Sequence, residues 1–308
     1  MKKTLIALAA LGVVGAASAQ NFGITGNVSM GYLADTDGTK TMNGIDIYNS
    51  NSMAVVATED LGGGMTASAK LQFRLNNMAE RGTGDQYVEL AGGFGSLRIG
   101  QFTFASHSGY NPFASTHAST GGGAAAIGST NTVAYTSPSF GGVTVAVGTT
   151  SDAKAGVGKP GTGVRVNYGA GPLSVQYASS TAPDGDSSNA TNGYKHTALG
   201  AKYDLGVATA YLTSYQETAG ATASKDNKQE KGVQIGAAIP MGALTFKISN
   251  MNRSSTNTSS TAVDTTSYGF SYALSKRTTA EFQTASNKLV TTAGTKTQKS
   301  WMGISHSF

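Results

Sequence analysis

The chain has 308 residues and a formal net charge of +5; 13% of the residues are charged, 41 are glycine and none is cysteine. The absence of cysteine excludes a disulfide scaffold, a thiolate zinc site and a cysteine nucleophile, and the scarcity of proline excludes collagen. The low charge argues against a charge-driven disordered chain, and the lack of a run dense in lysine and arginine argues against nucleic-acid binding.

The first segment has the three parts of a bacterial secretory signal. Met1–Lys3 is basic, residues 4–16 form an apolar run, and Ala17–Ala19 is a small-residue cleavage site. The run is too short to cross a membrane, which disfavours an N-terminal anchor. We therefore predict that residues 1–19 are cleaved and that residues 20–308 form a single domain.

Beyond the signal, apolar and polar residues alternate with the period of two that is typical of β-strands. In Met65–Leu75 one face reads Met, Ala, Ala, Leu, Phe, Leu, and the other reads Thr, Ser, Lys, Gln, Arg. Such runs begin near residues 22, 51, 65, 86, 96, 131, 143, 162, 173, 194, 207, 231, 244, 265, 278 and 298. Short turns alternate with longer loops near 34–50, 76–85, 103–130, 151–161, 181–193, 218–230, 253–264 and 288–297. This rhythm predicts sixteen antiparallel strands with both chain ends on the short-turn side.

The apolar face of the strands decides between a soluble β-sandwich and a membrane barrel. No Asp, Glu, Lys or Arg occurs on this face in the well-patterned strands, as expected where a charge would cost about 2–4 kcal/mol in mid-bilayer. In lipid every backbone amide needs a partner, which strands achieve only by closing into a ring. We therefore predict an all-β fold, a transmembrane antiparallel β-barrel of about 16 strands, whose size leaves a water-filled lumen.

The third long loop, residues 103–130, is unusual in its length and contains no charged residue. It holds His107, Tyr110, Asn111 and His117, followed by a glycine-rich run. One interpretation is a mobile surface loop. The other is a loop folded into the lumen, where its small and partly apolar side chains would pack against the barrel wall and narrow the channel.

Five segments, in the same order along the chain, resemble motifs of the general trimeric porins of proteobacterial outer membranes. They are Thr58–Gly64, Gly93–Gly100, Tyr135–Gly142, Leu274–Thr278 and Gly303–Phe308. The resemblance implies sixteen strands, a homotrimer and a third loop bent into the pore. The expected partners are then bilayer lipid, lipopolysaccharide, and small hydrophilic solutes and ions.

The chain departs from that family at the constriction. Family members usually carry carboxylates on the third loop, opposite an arginine cluster on the wall, but here the loop is neutral. Gln101 also stands where an arginine is frequent. The sequence therefore gives no support for a strong transverse electric field.

Alternation places eight charged side chains on the lumen face, of which six are basic. They are Lys70, Arg74, Glu89, Arg98, Arg165, Lys202, Lys247 and Glu281. A pore lined by one sign of charge concentrates the opposite ion, so we predict a weak anion preference. The alternative is that these charges lie near the rims, where salt screens them over about 8–10 Å.

The histidines do not form a recognisable catalytic or metal-binding pattern. His107 and His117 are ten loop residues apart, which fits no standard zinc spacing. We therefore predict no catalytic site, metal or cofactor. Tyrosines on several strands, including Tyr177, Tyr211 and Tyr215, are candidates for an interfacial aromatic girdle or simply reflect strand propensity.

The sequence favours an outer-membrane porin through which small hydrophilic solutes diffuse passively. A solute-specific channel for a sugar or an organic anion is the main alternative. A barrel hydrolase or a surface adhesin is a more distant one, and a soluble periplasmic β-protein is the most distant.

Overall fold

The structure is a computed structural model. It describes residues 21–36, 41–47, 51–75, 81–105, 107–113, 132–150, 160–181, 195–218, 229–255, 263–289 and 296–308. The strands are β1 Asn21–Thr36, β2 Thr41–Ile47, β3 Asn51–Gly62, β4 Met65–Leu75, β5 Arg81–Gly92, β6 Gly95–Gln101, β7 Thr132–Thr136, β8 Val143–Thr150, β9 Gly161–Ala170, β10 Leu173–Thr181, β11 Lys195–Asp204, β12 Thr209–Thr218, β13 Gln229–Met241, β14 Leu244–Ser255, β15 Val263–Ala273, β16 Thr278–Leu289 and β17 Lys296–Ser307. Within the described residues, no helix is long and apolar enough to span a membrane.

The strands form one antiparallel sheet that closes on itself. Consecutive strands pair with each other except β2 with β3, and β1 pairs with β17 from Asn27 opposite Ser307 to Thr36 opposite Gln298. At the short-turn end, Gly26 and Phe308 exchange two backbone hydrogen bonds of 3.0 Å. The sheet therefore has no free edge, which confirms the predicted barrel.

Seventeen strands occupy sixteen positions in this ring, because β2 and β3 share one. β1 pairs with β3 over residues 21–27 and with β2 over residues 30–36. Between the two stretches, the buried Asn51 side chain accepts a hydrogen bond of 2.7 Å from the backbone N–H of Ser29. The predicted number of sixteen strands is confirmed. The side-chain amide of Asn51 satisfies a backbone N–H that the break in the strand would otherwise leave unpaired.

The predicted loops are too long at the end of the barrel that carries them. β2 lies inside the predicted loop 34–50, and β5 starts at Arg81 rather than at 86. β14 likewise continues to Ser255 in the predicted loop 253–264. In residues 81–85 and 252–255 the sequence is polar on both faces and so resembles a loop, yet pairing with the neighbouring strand still satisfies its backbone.

The two faces of the barrel differ as the alternation predicts. Large apolar side chains point outward and are exposed, including Leu71, Val88 and Ile248 at 50%, 61% and 52% of their surface. The inner face carries mostly small and polar residues, with Trp301 and Met251 as large buried exceptions. Tyr211 and Tyr215 alternate onto the inner face, opposite Lys202 and Ala198, so their assignment to an outer aromatic girdle is wrong.

The outward face gives a direct test of burial in lipid. We expect Leu71→Arg, in the middle of β4 on the apolar face, to destabilise the folded barrel by about 2–4 kcal/mol. Ser68→Arg is the matched control, because Ser68 faces inward opposite Glu89 and its arginine would be hydrated. Equilibrium unfolding in urea with lipid vesicles measures both. Equal destabilisation by the two variants would contradict the assignment of the faces.

Candidate functional site

The chain that follows β6 turns onto the inner wall of the barrel. Phe102, Phe104 and Ala105 form a buried cluster with Ala134 of β7, Ala146 of β8 and Ala178 of β10. These alanines belong to the inward-facing rows of their strands. The first residues of the long loop are therefore packed against the wall from inside the barrel.

Hydrogen bonds tie this segment to β10 and to two further strands. The guanidinium of Arg165 on β9 donates from Nη1 to the carbonyl oxygen of Phe104. Thr213 on β12 donates from Oγ1 to the carbonyl oxygen of Tyr110 over 2.9 Å. The Tyr110 hydroxyl lies 3.4 Å from Oγ of Ser174 on β10. Side chains of the wall thus satisfy backbone groups of a segment that makes no ladder of its own.

Glycines on the wall give this segment the room it occupies. A Cβ added to Gly200 would lie 2.5 Å from the Tyr110 ring, and one added to Gly236 would lie 2.8 Å from Pro112. Phe113, which is almost completely buried, then packs against Ala285 of β16. From β6 to β16 the segment follows wall positions whose side chains are absent or small.

The four predicted loop residues have different positions. His107 is buried, Tyr110 makes the contacts above, and Oδ1 of Asn111 accepts a 3.0 Å hydrogen bond from the N–H of Phe113. His117 lies outside the described residues, as do residues 114–131. The folding of the whole loop 103–130 into the lumen therefore remains a prediction.

Three of the predicted basic residues lie next to carboxylates on the β4–β6 wall. Lys70 Nζ is 3.1 Å from Asp85 Oδ2, and Arg74 Nη2 is 3.8 Å from Asp85 Oδ1. Arg98 Nη2 is 2.7 Å from Glu89 Oε2. Two cations therefore share Asp85, whereas Arg98 has a carboxylate of its own.

Arg98 is also held by aromatic rings. Its guanidinium lies 4.0 Å from the ring centroid of Tyr87 and 5.3 Å from that of Phe102. Stacking of this kind adds to the ion pair with Glu89, so the charge has a fixed position. Through Phe102, the wall arginine also contacts the residue that precedes the long loop.

The remaining predicted charges lie on the opposite arc of the wall. Lys247 Nζ is 3.5 Å from Glu281 Oε1. Arg165 is bonded to the loop carbonyl, and Lys202 is exposed opposite Ser174 and Tyr211. Neither Arg165 nor Lys202 has a carboxylate within ion-pair distance among the described residues.

The sequence analysis missed several inward-facing charges near the strand ends that lead into the long loops. Asp85 falls in a predicted loop, and the pairs Arg253–Glu230 (3.8 Å) and Lys299–Asp35 (2.8 Å) were not assigned to the lumen. Away from the turn ends, the described inner wall thus carries the six predicted cations with Arg253 and Lys299, against the carboxylates Asp35, Asp85, Glu89, Glu217, Glu230 and Glu281. Asp60 and Asp204 also alternate inward, at the turn ends of β3 and β11, where each accepts a hydrogen bond from a turn N–H group. The excess of positive charge is smaller than the sequence predicts.

His107 of the loop and His196 of β11 lie near each other. Nδ1 of His196 lies 2.8 Å from Oε1 of Glu217, and its ring stacks on Tyr215 with centroids 6.2 Å apart. The Tyr215 hydroxyl donates a 2.7 Å hydrogen bond to Glu230. Burial lowers the pKa of His107 to about 4, and the nearby His196 contributes in the same direction. The described residues contain no cluster of three or more potential metal ligands among His, Cys, Asp and Glu.

The model of the Gram-negative porin family matches residues 4–292. The chain belongs to this family. Outer membrane porin protein 32 of Delftia acidovorans is 28% identical over 238 residues, which are 68% of this chain and 67% of that protein. The chain is thus a porin of the outer membrane, and its barrel forms a channel.

Solved structures of outer-membrane proteins share the fold of this porin. The anion-selective porin from Comamonas acidovorans superposes with a TM-score of 0.78 at 21% identity, covering 94% of this chain and 100% of that one. The trimer form of OmpT from Vibrio cholerae superposes with a TM-score of 0.68 at 10% identity, covering the same shares. At these identities the likeness is one of fold.

The close approach at Gly200 predicts how firmly the loop is held. We expect Gly200→Val to displace Tyr110, because overpacking of this kind costs roughly 1–3 kcal/mol. Hydrogen exchange of residues 107–113 should then accelerate by about 5- to 150-fold. The control is Gly23→Val, because a Cβ at Gly23 meets nothing within 4 Å. Unchanged protection in the Gly200 variant would show that the contact does not hold the segment.

The pKa of His107 predicts a loosening of the same segment in acid. A buried imidazole whose pKa is about 4, against 6.5 when free, stabilises the packed loop fully above pH 6.5 and loses that contribution as the pH falls towards 4. Over this range the loss is about 3 kcal/mol at most. NMR titration of the His107 ring should give a midpoint near 4. A His107 midpoint near 6.5 would contradict the packing.

Proposed function

We propose that this porin is a passive diffusion channel with a weak preference for anions. The observation that carries the proposal is the described inner wall outside the turn ends, where eight cations face six carboxylates. Asp60 and Asp204 lie at the turn ends, where each accepts a hydrogen bond from a turn N–H group. The attraction of the wall for a passing anion is small because most of these cations are paired with a carboxylate. A paired charge attracts a passing ion less than a free one, so the preference is weak.

The relative of known selectivity supports the sign of this preference. The structure from Comamonas acidovorans is named an anion-selective porin. Among the described residues, Arg165 and Lys202 of the inner wall have no carboxylate within ion-pair distance, and Lys70 and Arg74 share one. These four residues would supply the net positive potential.

The long loop would set the size of solutes that pass. Residues 102–105 and 107–113 lie against the wall between β6 and β16, and we infer that residues 114–131 continue into the lumen and narrow it. The segment's neutral and partly apolar composition fits a filter that acts through size rather than charge.

We further propose a homotrimer that contacts bilayer lipid and lipopolysaccharide. A trimer form is known for the structurally similar OmpT. The exposed apolar side chains of the outer face provide surface for both kinds of contact. Residues 1–19 would direct export and be removed.

We infer that the chain catalyses no reaction. The nearest approach to a catalytic constellation is His196, which contacts Glu217 and lies opposite Ser180 in the β10–β11 ladder. Nε2 of His196, however, has no hydrogen-bond partner among the described groups. A Ser–His pair needs that bond for the imidazole to take the serine proton.

Ion selectivity tests the proposal directly. Reversal potentials of the reconstituted porin in a KCl gradient should have the anion sign. Asp85→Asn should increase the anion preference, because it releases Lys70 and Arg74, and Lys202→Glu should decrease it. The turn variant Lys276→Gln serves as control and should leave the potential unchanged. A clear cation sign for the unmodified porin would overturn the proposal.

A further inference from the structure

Two arginines of the inner wall contact the start of the long loop from different strands. Arg98 lies on β6 and Arg165 on β9, with β7 and β8 between them. The guanidinium of Arg98 lies 5.3 Å from the ring centroid of Phe102, and that of Arg165 lies 5.4 Å from the ring centroid of Phe104. We call these four residues the arginine clamp.

The two phenylalanine rings lie on a part of the wall that has small side chains. They are buried in one cluster with Ala134, Ala146 and Ala178. A Cβ added to Gly148 would lie 3.0 Å from the Phe104 ring, so this glycine also forms part of the surface beneath the rings. Small residues give the rings contact area but do not stop them from sliding. Lateral confinement comes from the larger side chains around them, which are those of the clamp arginines and Tyr87.

Arg98 is itself held in place by β5. Its Nε and Nη2 both contact Oε2 of Glu89, over 2.8 and 2.7 Å. Its guanidinium lies 4.0 Å from the ring centroid of Tyr87, and the Tyr87 and Phe102 rings meet edge to face with centroids 5.9 Å apart. A planar guanidinium can bind the carboxylate through its edge and the rings through its face at the same time, which a lysine ammonium cannot do.

Arg165 makes the corresponding contact from β9. Its Nη1 donates to the carbonyl oxygen of Phe104, and the same guanidinium lies over the Phe104 ring. One side chain therefore holds both the backbone and the ring of a loop residue. Phe104 is almost completely buried, and a cation–π contact is stronger where water is excluded than at an exposed surface.

The position of the sheet decides how the clamp affects the pore. The loop start lies on the lumen side of the wall, and the sheet blocks movement in the other direction. A segment that the arginines release can therefore move only towards the barrel axis. The clamp thus keeps residues 102–105 out of the path of solutes.

We propose that Arg98 and Arg165 keep the pore open to large solutes by clamping the loop start to the wall. Their effect on solute size comes from the planar shape of the guanidinium and not from its charge. The proposal rests on the role of the loop as a size filter proposed above, and it names the residues that position this filter. It also separates size selection from the anion preference, to which an exposed charge such as Lys202 contributes.

The test changes the shape of the two side chains and preserves their charge. In Arg98→Lys/Arg165→Lys both charges remain, but the contacts with the rings weaken. Loss of two cation–π contacts should accelerate hydrogen exchange of residues 102–105 and 107–113 by about 5- to 30-fold. Liposome swelling with neutral sugars, from a pentose to a trisaccharide, measures the effect on the pore. Uptake of the largest sugar relative to the smallest should fall, because the released segment enters the lumen.

A second variant changes the same contacts from the side of the loop. Phe102→Leu/Phe104→Leu retains both arginines and two apolar side chains but removes the rings. It should reproduce the faster exchange and the lower relative uptake. The control is Arg277→Lys, which makes the same substitution in an exposed short turn and should leave both measurements unchanged.

The two measurements separate the possible failures. Hydrogen exchange equal to that of the unmodified porin in both double variants would overturn the clamp. Faster exchange with unchanged relative uptake would overturn its effect on the pore. Neither result bears on the anion preference, because the sugars are neutral. The reversal potential of the unmodified porin tests that preference by itself.

Discussion

The barrel depends on the need of every backbone amide in hydrocarbon for a hydrogen-bond partner. Closure between β1 and β17 removes the edges that an open sheet would expose to lipid. The same need explains a local detail at the break between β2 and β3, where the amide of Asn51 accepts the N–H of Ser29. Because the backbone is satisfied by neighbouring strands, side chains are free to differ completely between the two faces.

That freedom is used on the inner wall to hold a segment that forms no strand pairing. Arg165 and Thr213 donate to backbone carbonyls of the loop, so they supply what a neighbouring strand would otherwise supply. Gly200 and Gly236 let Tyr110 and Pro112 come close to the wall. Polar anchors thus fix the direction of the segment, and small residues fix its distance from the barrel axis.

Alternation in the sequence was sufficient for the fold but only partly for the site. The apolar period in segments such as Met65–Leu75 identified the strand and its lipid face, because burial in lipid excludes charge from every second position. It failed at Asp85, where both faces are polar and no such exclusion acts. The contacts of Arg165 and Gly200 with the loop could not be predicted, since they join residues that lie more than sixty positions apart or depend on the path of an irregular segment.

The placement of charge on β12 and β13 shows how one sequence period serves two environments. Gln216 and Lys231 face outward, whereas Glu217 and Glu230, each one residue away, face inward. A slip of one residue would exchange the two sets, leaving carboxylates towards lipid and a lysine towards the buried His196–Tyr215 pair. The lipid on one face and the His196–Tyr215 pair on the other both disfavour that exchange. The inner partners, the 2.8 Å contact to His196 and the 2.7 Å bond from Tyr215, therefore fix the register that points Lys231 outward.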